Sequence, residues 1–242
     1  MLKSILKKTL RTFGVGVRHI PRPLVKTPEA EFRFTFEHIV LSHFCREPDF
    51  FFVQIGANDG STVDPLYSMV ERFDWPGLLI EPEELAYQRL CQTYRDKTRL
   101  QFANVAIADY DGEGTLHVVN PEVPDPLSRG PLISSLDRQT AIANLGFDGD
   151  GVLFPRKVQV CRLATLLEQR KIDRVDLLQI DAEGYDFKII QSLEGNEAQP
   201  QIINYEHALL SRRDKEACWN LLIRRGYQLF VHEPDTTAIR AD

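Results

Sequence analysis

The sequence predicts an α/β fold built on a doubly wound, mostly parallel sheet. Three observations carry this. Short, continuous apolar runs close on a glycine or an acid at 50–55, 78–80 and 175–180, which is how strands buried on both faces read. Helical patterns separate these runs along most of the chain, so each strand is followed by a crossover helix. The first run breaks into Gly56-Ala57-Asn58-Asp59-Gly60-Ser61-Thr62, a strand–turn–helix junction where free backbone N–H groups can point at a ligand.

Taken in order, residues 1–29 read as a basic N-terminal arm and 30–242 as one domain with a loop insertion at about 120–157. In the arm, Leu2, Ile5, Leu6 and Leu10 share one helical face and Lys3, Lys7, Lys8 and Arg11 occupy the others, until Gly14, Gly16, Pro21 and Pro23 break the pattern. Such a segment either frays or packs on the domain, or attaches reversibly to anionic lipid at an inner membrane face. A helical pattern at 30–47 (Phe32, Phe36, Ile39, Val40, Phe44) leads to the first strand, 50–55. Ser61 or Thr62 is placed to cap a helix over 61–72 carrying Val63, Leu66, Tyr67 and Val70. Pro76-Gly77 reopens a strand at 78–80, which ends at Glu81-Pro82, and a helix at 83–97 buries Leu85, Leu90 and Tyr94.

A third strand spans 100–107, and Gly112–Gly114 turn the chain into an alternating strand at 115–119. The stretch 120–157, rich in Pro, Gly, Ser and Asp, reads as irregular and as a wall or lid on the substrate side. The pattern resumes with a strand at 158–160, a helix at 163–170, and a buried strand at 175–180 ending in Asp181-Ala182-Glu183-Gly184. Then follow a helix at 185–193, a strand at 201–205 ending at Glu206-His207, a helix at 211–225 capped by Gly226, and a last strand at 227–232.

Composition bounds the function. At 242 residues, 43% hydrophobic and 26% charged, the chain has the make-up of an ordinary globular protein. No apolar stretch approaches the roughly 20 residues of a membrane span, and no signal peptide is visible. The net charge is −6, yet residues 1–26 contribute +7, leaving −13 on the body; an acidic body argues against nucleic acid as a partner. Cys45, Cys91, Cys161 and Cys218 are widely spaced, with no C-x-x-C, and fit reduced thiols in a cytoplasmic protein.

In an open α/β sheet the ligand lies outside the carboxyl ends of the strands. Those ends carry Gly56–Gly60, Glu81, Asn104, Asp181, Glu183, Glu206 and His207. Glu81 falls about 20 residues beyond the glycine turn, where a carboxylate takes two hydrogen bonds from a ribose diol; its plain alternative is a surface acid before a proline. Gly56-x-x-x-Gly60 is neither the dinucleotide nor the phosphate-loop spacing, and the turn holds no lysine. A nucleoside cofactor without phosphates fits better than ATP or NAD.

The segments FVQIGANDGS (52–61), LLIEPEE (78–84), FANVAIAD (102–109), SSL (134–136) and VDLLQIDAEGYDFKIIQSL (175–193) resemble the FkbM family of S-adenosylmethionine-dependent methyltransferases. The resemblance implies a Rossmann-like, class I methyltransferase fold. It assigns Gly56, Ala57, Asn58, Asp59, Gly60 and Ser61 to the methionine part of S-adenosylmethionine. Glu81 and Pro82 fall to the ribose, and Asn104, Val105 and Ala106 to the adenine. Asp181 and Glu183 would edge the place where donor and acceptor meet. It also implies O-methylation of a small molecule or of a sugar in a glycan. Gln54 stands where many relatives carry an acid, and Ala164 where the family usually shows Asp.

An activated sulfonium needs chiefly an in-line acceptor, and an alcohol benefits from a base. The candidates are Asp181, Glu183, Glu206 and His207; the plain alternatives are helix capping for the first two and a structural role for His207. These carboxylates could hold a divalent metal, but the sequence gives no ligand geometry, and no metal ligand is assigned. A non-catalytic module serving a glycan-assembly protein is the alternative function, which three acids at strand ends (Glu81, Asp181, Glu183) argue against. The lack of G-x-G-x-x-G argues against a nicotinamide enzyme.

Overall fold

A computed structural model describes residues 35–45, 47, 49–120, 134–145, 151–193 and 199–240. The basic arm, and residues 30–34 of the first helical pattern, lie outside the described residues. Helix α1 (Phe36–Phe44) opens on a reciprocal capping box between Thr35 and His38 and buries Phe36, Ile39, Val40 and Phe44. Strand β1 (Phe52–Ile55) is buried at every position. The helix after it, α2 (Tyr67–Phe73), has no side-chain cap and starts well after the predicted position. The reason lies in the turn: Asp59 accepts the N–H groups of Ser61 and Thr62 and both their hydroxyls. The residues expected to cap a helix are themselves held in an Asp-centred turn. Val63, expected within that helix, precedes it and is 87% exposed with φ +58°.

Strand β2 (Gly77–Ile80), helix α3 (Glu84–Thr93) and strand β3 (Leu100–Ala103) follow. The run expected as one strand over 100–107 is split. Asn104 donates to the carbonyls of Glu81 and Pro82 and turns the chain, so that β4 (Ala106–Ile107) joins a different sheet. That second sheet, in the order β4-β7-β5-β6, is built from β5 (Gly112–Val119), β6 (Ser134–Ser135) and β7 (Leu153–Cys161), with helix α4 (Arg138–Leu145) between the last two. The described part of 120–157 is therefore ordered, not irregular. Its core is an antiparallel ladder from Gly112↔Val160 to Val119↔Leu153.

Helix α5 (Leu163–Arg170), strand β8 (Leu177–Ile180), helix α6 (Asp186–Ser192), strand β9 (Ile202–Glu206), helix α7 (Arg212–Arg224) and strand β10 (Tyr227–His232) complete the alternation. Beyond the expected last strand lies β11 (Asp235–Arg240), antiparallel to both β9 and β10. The main sheet has seven strands in the order β10-β11-β9-β8-β1-β2-β3, with β3, β2, β1, β8 and β9 parallel. The chain winds outward from β1 through β2 and β3, then returns to the other side of β1 at β8. That reversal opens a crevice at the carboxyl ends of β1 and β8. One face of the sheet packs Val53, Ile55, Leu178, Ile180 and Ile203 against α5, α6 and α7. The other packs Phe52, Leu79, Leu177 and Ile202 with α1, α2 and α3. Among the described residues no helix is long and apolar enough to cross a membrane.

Candidate active site

A cavity of about 560 Å³ lies at the crevice, walled by the ends of β1, β2, β8 and β9, by β4, and by the β10–β11 turn. Its floor is the glycine turn. The N–H groups of Gly56 and Ala57 donate to the Ile80 carbonyl at 2.9 and 3.0 Å, tying the turn to β2. Gly56 has φ +77°, and a Cβ there would stand 1.9 Å from the Asp181 carbonyl oxygen. Only glycine lets β1 and β8 converge this closely. Glu81, 4% exposed, accepts the Asn58 N–H at 2.9 Å and the Glu83 N–H at 2.8 Å. Burial, with the nearby charges of Glu83 and Asp181 adding to it, pushes its carboxyl up to about 7 against the pull of those two hydrogen bonds.

Of the residues expected at the cofactor, Gly56, Ala57, Asn58, Glu81, Pro82, Val105, Ala106 and Asp181 line this cavity. Asp59, Gly60, Ser61 and Asn104 do not. Asp59 organises the turn, Ser61 is one of its partners, and Asn104 tethers the Glu81–Pro82 backbone. Gly60 serves packing, since a Cβ would meet the Leu90 and Tyr94 side chains at 2.6 Å.

Of the catalytic candidates, Asp181, Glu183 and Glu206 come together on the β8–β9 side. Burial raises each: Asp181 to about 6 with help from Asp235 and Asp64, Glu206 to about 7 with Asp181 and Asp235, and Glu183 to about 8 with Asp181, Glu206 and Asp186. Asn144 donates to Glu183 and fixes it. Glu183 itself adopts a left-handed φ of +48°, a conformation that costs energy away from glycine and asparagine. His207 is not in this group. It is 1% exposed, bonded to Thr236 through Nδ1 at 3.0 Å, and packed edge-on against Trp219. It does not line the cavity.

Sequence reasoning missed Asp64, Asn144 and Asp235 as wall residues and did not assign Gln54 a place there. Asp64-Pro65 lies inside the stretch expected as a helix over 61–72, and Pro234-Asp235 lies beyond the last expected strand; an acid beside a proline at a strand's ligand end was the available signal. None of the described residues lining the cavity is Lys, Arg or His, while six are carboxylates: Asp64, Glu81, Asp181, Glu183, Glu206 and Asp235. Among the described residues no group of three or more His, Cys, Asp or Glu is arranged to hold a metal ion.

The methyltransferase FkbM domain family matches residues 54–229 of this chain. The chain belongs to that family. Of solved structures, it resembles an FkbM methyltransferase from Methylobacillus flagellatus (14% identity, TM-score 0.48), over 79% of this chain but only 43% of that one. The N-terminal domain of human METTL16 aligns over 99% of this chain and 81% of its own, at 11% identity and a TM-score of 0.47. A precorrin-6y C5,15-methyltransferase from Geobacter metallireducens aligns over 87% and 92%, at 12% identity and a TM-score of 0.40. No curated protein matches.

The FkbM-matched segment begins at Gln54 within β1 and ends within β10, so Asp235 and all of β11 come from beyond it. This FkbM chain's second departure, Ala164, sits exposed in the first turn of α5, away from the cavity. Near that helix start, Asp111 accepts the Arg162 N–H at 2.9 Å.

Proposed function

We propose that this FkbM methyltransferase uses S-adenosylmethionine to methylate a hydroxyl group of a sugar in a glycan or of a small hydroxylated metabolite. The observation that carries the reading is the make-up of the cavity wall: six carboxyl groups, part of them ionised at neutral pH, and no cation among its described lining residues. Such a wall suits a cationic donor and a neutral, hydroxyl-bearing acceptor, and repels phosphates. The other features agree. Val105, Ala106, Ile107, Leu116 and Leu136 offer an apolar slot for a base, and Glu81 stands at the β2 end where a ribose diol would meet it.

When bound, S-adenosylmethionine supplies a methyl group already activated on a sulfonium. The chain's own residues then have three tasks. Asp181, ionised at neutral pH with its carboxyl near 6, favours positive charge at the β8 end. Glu183, near 8 and held by Asn144, stays protonated and donates a hydrogen bond to the acceptor. Glu206, near 7, is poised to take the hydroxyl proton as the acceptor oxygen gains the methyl group and the thioether product leaves.

Calorimetric titration with S-adenosylmethionine and S-adenosylhomocysteine tests the first half. Binding in the micromolar range, about −8 kcal/mol, abolished by Glu81→Ala, supports the reading; no binding by the intact protein overturns it. Transfer from methyl-labelled donor to a panel of sugars tests the second half. Label on a hydroxyl oxygen supports it, and label confined to nitrogen or carbon overturns O-methylation.

A further inference from the structure

The end of β1 and the turn after it bring two polar side chains, Gln54 and Asp64, to the cavity wall. Gln54 is 3% exposed and lines the cavity, and its Oε1 is buried with no hydrogen-bond partner. Asp64 lines the same cavity. Its Oδ1 accepts the Leu66 N–H at 2.7 Å, while its Oδ2 is buried and also unpartnered. Burial raises the proton affinity of Asp64, against the pull of the Leu66 N–H and of the nearby Gln54 side chain.

Two buried oxygens without donors, a side-chain amide and a carboxyl, ask for a group that only donates. A buried acceptor left without a donor is costly. An ammonium has three donors, no acceptor and the right charge, whereas a hydroxyl brings a single donor. The turn is also held in an unfavourable shape. Val63, a β-branched residue at φ +58°, stands directly before Asp64 and is turned out to solvent. The β1–α2 connection that supplies Gln54 and Asp64 is the one that supplies the glycine floor, while Glu206 and Asp235 on the acceptor side come from β9 and the β10–β11 turn.

Building on the cofactor reading above, we propose that Asp64 and Gln54 together hold the α-ammonium of the cofactor's amino-acid moiety. Asp64 thereby supplies from the turn the charge that β1 lacks.

The test compares two ligands on the full chain: S-adenosylhomocysteine, which carries the ammonium, and 5′-methylthioadenosine, which lacks the amino-acid end. Asp64→Asn is expected to weaken S-adenosylhomocysteine by about 10- to 100-fold while leaving 5′-methylthioadenosine unchanged. The double variant Gln54→Glu/Asp64→Asn is expected to recover part of the loss. Unchanged methylthioadenosine binding also reports a folded site; if Asp64→Asn fails to fold, Asp64→Ser, which keeps an acceptor for the Leu66 N–H, repeats the comparison. Equal weakening of both ligands, or of neither, overturns the inference and leaves the cofactor reading standing. Absence of S-adenosylhomocysteine binding by the intact protein overturns both.

Discussion

The two banks of the cavity are built on opposite principles. On the β1–β2 bank, apart from Gln54 and Asp64, the polar groups that shape the turn are spoken for: Glu81 takes two backbone N–H groups, and the Gly56 and Ala57 N–H groups go to Ile80. On the β8–β9 bank, burial raises the proton affinity of Asp181, Glu183, Glu206 and Asp235, and neighbouring acids add to it for the first three. A satisfied network gives a fixed shape, as a binding surface requires. A crowded set of acids near neutral pKa gives groups able to exchange protons, as chemistry on a hydroxyl requires. Under the proposed function, the first bank holds the cofactor and the second takes the proton.

Substitutions on each bank should separate the two. Glu206→Gln is expected to lower turnover by about 100- to 10,000-fold while S-adenosylhomocysteine affinity stays within a few-fold; steady-state kinetics beside calorimetry would check this, and an undiminished rate would move the base elsewhere. Gly56→Ala attacks the seam between the banks. With a Cβ 1.9 Å from the Asp181 carbonyl and a left-handed φ, it should cost about 3 kcal/mol or more, read as a lower denaturation midpoint. His207→Asn, behind the acidic bank, should cost about 1–2 kcal/mol and leave turnover within twofold; a large fall in turnover at full stability would return His207 to the site.

The smallest effect is a slope with pH. Glu81, Glu206 and Glu183 have folded-state pKa values of about 7, 7 and 8 against an ordinary 4.5. Between pH 4.5 and 8 the folded chain thus binds more protons than the unfolded one, so stability falls as pH rises across that window. Glu183→Gln should flatten its upper part. Denaturation at pH 5 and pH 8 decides, and a rise in stability with pH would contradict burial as the cause of the shifts.

The parallel centre of the fold was legible because β1, β2, β8 and β9 are short apolar runs with abrupt ends. Glu81, Asp181, Glu183 and Glu206 were legible as the residues at those ends. What escaped was set by side chains reaching across the sequence. Asp59 competed for Ser61 and Thr62 and delayed α2. Asn104 bonded back to residues 81 and 82 and sent β4 to another sheet. Pro155, within a run that otherwise alternates, hid the part of β7 before the expected strand at 158–160, since proline speaks against a strand until its partner is known. The buried faces of β1, β8, β9 and β11 also carry Gln54, Gln179, Asn204 and Thr237 at paired positions, the last three joined side chain to side chain. Such a ladder has no meaning until the strands are side by side.

Strand β11 sits between β9 and β10 although it follows both in the chain. During synthesis, β9 and β10 therefore emerge with no partner between them. The inner edge of β9, carrying Ile202, Ile203 and Tyr205, stays open until residues 235–240 leave the ribosome and slide in. The same event delivers Pro234 and Asp235 to the cavity wall. A nascent chain that has made its entire glycine turn and all three acids on β8 and β9 still has a site with one side missing, and a sticky strand edge for a chaperone to guard.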